Sequence, residues 1–124
     1  MITADEINKV MEQAGYSDHE VITRYHITMV VEHAHDCGVL DPNVNVWTVE
    51  DGDETGVLIT YDFGEKLRMS SRWKNTRDLL RHEDSPRDAV LRILTFVGEV
   101  SVDLKRAYTD FALPELAARR RRDS

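Results

Sequence analysis

The chain has 124 residues, 41% of them apolar and 31% charged, with three prolines and six glycines, which excludes a collagen-like, low-complexity or wholly disordered protein and fits one ordinary domain. Its formal net charge of −7 repels phosphates, which makes free nucleic acid a poor main ligand. No apolar run approaches the ~20 residues of a bilayer span, and the acidic first residues lack the apolar core of a secretory signal, so a cytoplasmic protein with no membrane partner is expected.

Thr3-Ala4-Asp5-Glu6 has the T-x-x-E form of a capping box. Ile7, Val10, Met11 and Ala14 follow at i, i+3, i+4 and i+7, and Gly15 stands where the helix should stop, which predicts a helix over 4–14. Ser17-Asp18-His19-Glu20 repeats the signature as S-x-x-E. With neither proline nor glycine from 18 to 37 and Gly38 after them, a second helix of about twenty residues is predicted, ~30 Å long. Its apolar residues, from Val21 to Cys37, cover most of the circumference, so the helix should be central or covered by a partner.

Leu40-Asp41-Pro42-Asn43 reads as a turn, after which the period changes to two. Val44, Val46 and Thr48, then Val57, Ile59, Tyr61 and Phe63, then Leu67, Met69, Ser71 and Trp73 alternate with their neighbours, predicting a three-stranded antiparallel meander. A six-residue loop from Asp51 to Gly56 would set Val46 opposite Tyr61 and Val44 opposite Phe63. A three-residue loop from Gly64 to Lys66 would set Phe63 opposite Leu67, Tyr61 opposite Met69 and Asp62 opposite Arg68, an ion pair on the second face. Asn75 or Thr76 should cap a short helical turn through Leu79, Leu80 and His82. Ser85-Pro86-Arg87-Asp88 opens a third helix, and Val90, Ile93, Leu94, Val97, Leu104, Tyr108 and Phe111 carry it from 86 to about 110.

The order α-α-β-β-β-α, with a long C-terminal helix, predicts an α+β two-layer sandwich in which helices cover a three-stranded antiparallel meander. Residues 1–112 make the single domain, and 113–124, which contain Arg119-Arg120-Arg121-Arg122, make a basic tail expected to be disordered. Val30 and Val31 on the second helix, and Leu91, Phe96 and Val102 on the third, exceed what the small sheet can shelter. They predict a protein-interaction surface, most simply in a homodimer that also holds an unidentified protein partner.

The charge is unevenly placed: 13 acidic and 2 basic residues in 1–64 give −11, and 10 acidic and 14 basic residues in 65–124 give +4, which sum to −7. The acidic loop of Glu50, Asp51, Asp53 and Glu54 fails the calcium-loop spacing and suits a solvated hairpin tip or a contact for a basic partner. Arg68, Arg72 and Arg119 to Arg122 could contact nucleic acid or another anion, the alternative in which the basic half serves a nucleic-acid-associated regulator. Arg outnumbers Lys 12 to 4, a mark of GC-rich coding in bacteria or their phages.

Cys37 is the only cysteine, which suits a reducing compartment. His19, His26 and His33 are spaced by seven and would form a pH-sensitive seam on the second helix. Steps of ~10.5 Å are too long for two of them to share a zinc ion. His33 and Cys37, at i and i+4, could share one if two more ligands joined them, His82 being one choice, which gives the further alternative of a small metal-dependent enzyme. No nucleophile elbow, P-loop or dinucleotide fingerprint is present, so the chain is expected to be non-catalytic and to need no cofactor. In size, acidity and α/β make-up it is similar to small secretion chaperones and to small phage-encoded or immunity-type inhibitors, a likeness of bulk character that covers no motif.

Overall fold

The computed structural model describes residues 2–64, 68–70, 74–81 and 84–123. The chain runs through helix α1 (Ala4–Ala14), helix α2 (Ile27–Asp36), strands β1 (Val44–Asp51), β2 (Glu54–Asp62), β3 (Arg68–Ser70) and β4 (Lys74–Asn75), then helices α3 (Thr76–Leu79), α4 (Pro86–Ala107) and α5 (Leu113–Asp123). This is an α+β fold of helices, then an antiparallel sheet, then a long helix, in the order the sequence predicts.

The capping box of α1 forms as read: the Thr3 N–H donates to Glu6 Oε1 at 3.0 Å and the Glu6 N–H to Thr3 Oγ1 at 3.2 Å. Gly15 closes the helix at φ +71°, a region that favours glycine. The second helix is half as long as predicted. Ser17 closes a turn instead of a cap, its hydroxyl accepting from the His19 N–H at 3.3 Å while the Glu20 N–H reaches Ser17 O at 3.2 Å. The β-branched run Val21-Ile22-Thr23 stays extended, as its restricted χ1 favours. Thr23 then caps a 3-10 turn over Arg24–His26 that leads into α2.

β1 and β2 pair from Val44 opposite Tyr61 to Asp51 opposite Glu54, leaving Gly52 and Asp53 as a two-residue turn with Gly52 at φ +62°. The six-residue loop read from the sequence is therefore too long, and Val46 faces Ile59 instead of Tyr61. The slip is an even number of residues, so each side chain keeps its face. On the other side of β2 the predicted register holds, with Tyr61 opposite Met69 and Asp62 opposite Arg68. Leu67 and its proposed partnership with Phe63 lie outside the described residues. β4 pairs the same side of β2 with a register shifted by one, Lys74 opposite Val57 and Asn75 opposite Gly56, so the sheet is three strands wide.

α2 and α4 pack on one face of the sheet, and α1 lies across both. Val10, Ile27, Val30, Ala34, Val44, Val57, Ile59, Ile93, Leu94 and Val97 are wholly buried between them. Each such Val, Leu or Ile side chain contributes about 1.5–3 kcal/mol. α1 thus shelters helix surface that the sequence had left for a partner. Val30 and Val31 are core residues, at 0% and 3% exposure, and the expectation that they form an interaction surface is corrected.

α4 begins as read, with Ser85 Oγ accepting from the Asp88 N–H at 3.1 Å and Pro86 in the first turn, where its missing N–H costs nothing. Arg92 holds the preceding loop through Asp84, Nε to Oδ2 at 3.2 Å. Past Ala107 the helix widens into a π turn over Tyr108–Ala112. Pro114 has no N–H for the carbonyl four residues back and crowds it, so the ladder must adjust there. Helical geometry then resumes over Leu113–Asp123, where the sequence suggested a disordered tail. α5 packs chiefly against the π turn.

Candidate functional site

Leu91, Thr95, Gly98 and Val102 follow at i, i+4, i+7 and i+11 and form one line along α4, turned away from the buried Val90, Ile93, Leu94, Val97 and Leu104. Leu91 is 40% exposed and Val102 50%. Phe96 is half-buried, with Lys74 Nζ 4.8 Å from its ring centre. Leu91 and Phe96 line an open depression of about 380 Å³ with Leu79 at its floor and Lys74, Asp88 and Glu99 on its walls. A Cβ built on Gly98 would meet nothing within 4 Å, so no neighbour within the chain requires glycine there. Of the three α4 residues predicted from sequence, Leu91 and Val102 are exposed, whereas Phe96 is half-buried and packs against the core.

A second apolar surface escaped the sequence reading. The buried Val44, Val57, Ile59 and Tyr61 put the helices on one face of the sheet, and the other is partly open. On that open face the register sets Trp47 opposite Leu58 and Val49 opposite Gly56. Trp47 is 47% exposed, and its indole N–H donates to Thr60 Oγ1 at 2.9 Å, laying the ring over a buried threonine. The signal was present: β1 carries large apolar residues on both sides of its alternation, Val44 and Val46 inward, Trp47 and Val49 outward.

The histidines separate. His19 sits exposed in the Ser17–Glu20 turn, off any helix, so the three-residue seam on one helix does not form. His26 and His33 flank Tyr16 edge-on, with ring centres 5.9 and 6.3 Å away. His26 Nδ1 accepts from the Thr23 N–H at 3.0 Å, a capping role. Cys37 donates to Ala34 O at 3.8 Å, and among the described residues no group of three or more His, Cys, Asp or Glu comes together to join His33 and Cys37 on a metal ion. His82 lies outside the described residues.

The basic residues are scattered. Arg68 takes its place in β3 opposite Asp62, and Arg72 lies outside the described residues. Arg119 and Arg122 both reach the Glu115 carboxylate, at 3.5 and 3.6 Å, on α5. Arg120 and Arg121 stand beside them on the same exposed helix.

A polar cluster of a different kind joins three segments. The Tyr61 hydroxyl donates to Asp41 Oδ2, Lys105 Nζ lies 3.1 Å from the same carboxylate oxygen, and the ammonium sits 5.3 Å from the Tyr61 ring centre. Phe63 packs on Tyr61 at 4.6 Å and stacks on Tyr108 at 4.1 Å, nearly parallel. Burial pushes the Asp41 carboxyl up, but the Tyr61 hydroxyl, the Asn43 N–H and Lys105 outweigh it and hold the group below the usual carboxylate range. Burial and then the adjoining carboxylate raise the Tyr61 phenol, and the bond to Asp41 raises Lys105. A phenol and an ammonium each held protonated are poor bases, so the cluster ties the end of α4 to the sheet.

Among the described residues no helix is long and apolar enough to cross a membrane. Compared with family models, curated proteins and solved structures, the chain matches none.

Proposed function

We propose that this protein is a small non-catalytic, cytoplasmic protein-interaction module, working as a homodimer and holding another protein on the outer face of α4. The observation that carries the reading is the line Leu91, Thr95, Gly98 and Val102, with Leu91 and Val102 exposed, beside the Phe96 depression. Apolar side chains there gain about 25 cal/mol per Å² when covered, and a glycine with free space around it lets a second backbone approach closely. Charged residues on the depression walls, Lys74, Asp88 and Glu99, supply a polar rim of the kind that orients a partner.

Sedimentation at micromolar concentration should give twice the 14.3 kDa chain mass, and a monomer would remove the homodimer from this reading. Parallel affinity capture from native lysate with the wild-type chain and a Leu91→Glu/Val102→Glu variant tests the α4 face. A protein retained by the first and lost by the second is expected. Identical capture by both would show that the face holds nothing.

A further inference from the structure

β1 is an edge strand: β2 pairs it on one side and, among the described residues, no strand pairs it on the other. The register tells which backbone groups that edge presents. The Asp62 N–H donates to Asn43 O at 3.0 Å, and Asp51 opposite Glu54 closes a two-residue turn, so the odd-numbered residues of β1 bond to β2. The N–H and C=O groups of Val46, Thr48 and Glu50 therefore point away from β2, whereas the Val44 N–H is taken by Asp41 O at 3.2 Å. Proteins commonly blunt such an edge with proline, lysine or a bulge. From Val44 to Glu50 the strand carries none of the three.

We infer that β1 pairs antiparallel with β1 of a second copy about a two-fold axis at Thr48, so that one sheet runs through both protomers. The outward groups are centred on Thr48, and a copy meets all of them only when Thr48 lies opposite Thr48 and Val46 opposite Glu50. The side chains then complement one another. On the helix side, threonine faces threonine, a couple able to hydrogen-bond across strands. On the other side, Trp47 faces the second copy's Val49 and Asn45 faces its Asp51, so an amide donor meets a carboxylate. Trp47 and Val49, exposed in one chain, cover each other twice at the closer spacing of a non-hydrogen-bonded pair. Charge selects the same arrangement: antiparallel pairing sends the two acidic tips, with Asp51, Asp53 and Glu54, to opposite ends. The Glu50 carboxylate stays near Arg24 of its own chain and lends only its backbone. The helices leave room, since they bury Val44 and half-bury Val46 but leave Thr48 to Asp51 exposed. The two helical layers thus sit at opposite ends of the shared strand pair.

The inference rests on the homodimer reading and names the contact that makes the dimer. Thr48→Pro tests it in the full-length chain. Because the Thr48 N–H points away from β2, proline there costs the fold no ladder bond but deletes the central donor of the edge. The variant should keep the circular dichroism of the wild type and sediment at half its mass. Thr48→Cys tests the register: under mild oxidation the two introduced thiols should join in a covalent dimer, located by peptide mass spectrometry, and the wild type, with Cys37 alone, should not. If Thr48→Pro folds and stays dimeric, β1 is not the contact, and the homodimer reading survives on another surface. If Thr48→Pro does not fold, the thiols decide. Their failure to join in a chain that sediments as a dimer overturns the pairing, whatever Thr48→Pro does. If the wild type itself is monomeric, both readings fall, and a capture lost by Thr48→Pro would then give the edge to another protein's strand.

Discussion

Asp41 is the residue on which the lower end of the fold turns. It accepts from the Tyr61 hydroxyl and the Asn43 N–H and pairs with Lys105, so three separated segments meet at one carboxylate. Because these partners hold its acid constant below the unfolded value of about 3.9, the charged form favours the folded state. That contribution is whole above the unfolded value and is lost as the pH falls through the lower, folded one. Asp41→Asn should therefore destabilise the protein at neutral pH and flatten the part of the acid-denaturation curve below about pH 4. Chemical denaturation at a series of pH values checks both. An equally steep acid limb in the variant would assign the acid sensitivity to other carboxylates, of which Asp84 is one, since its bonds to Arg92 and the Arg81 N–H also hold it low against its burial.

At the scale of elements, α4 carries the clearest tension between stability and use. Gly98 lies inside a 22-residue helix with open space where a methyl group would go. Gly98→Ala should stabilise the isolated protein by about 1 kcal/mol, a rise in melting temperature of about 3–5 °C. The same substitution should weaken partner capture if a second backbone lies against that turn. Stabilisation with unchanged capture would make Gly98 irrelevant to binding. α4 itself was legible in the sequence because cap, proline and stripe all agree. So was the Asp62 to Arg68 register, since alternation and charge point the same way. α2 was not, because an S-x-x-E signature and an extended β-branched run compete over residues 17–23, and the turn and the Thr23 cap win. The hairpin was misjudged for a related reason. Acidic residues at 50–54 look like loop, whereas Gly52-Asp53 alone makes the turn and the remainder continues the strands. Of the candidate surface, Leu91, Phe96 and Val102 could be read from period alone. The Trp47 face was hinted at by the large apolar residues on both sides of β1, but which of the two sides the helices cover follows only from the packing.

For the whole molecule, the balance between helices and sheet differs from what the amphipathic stripes suggest. α1 is short, yet it closes the second side of both α2 and α4, so the apolar excess left over is smaller and lies elsewhere: on the outward line of α4, on the open sheet face, and around the π turn. The Asp41, Tyr61 and Lys105 tie fastens α4 at its last full turn, and beyond Tyr108 most of the helix is exposed. Eleven residues of largely exposed helix are marginal in water. Backbone amides of α4 should therefore exchange with deuterium only on global opening, while those of α5 exchange early, with the boundary close to Lys105. If protection instead declined smoothly from Ser101 onward, the carboxylate tie would not be the anchor. A sharp boundary would make this end of the protein a built-in reporter, because any partner that covers α5 must slow its deuterium uptake while leaving the already protected core of α4 unchanged.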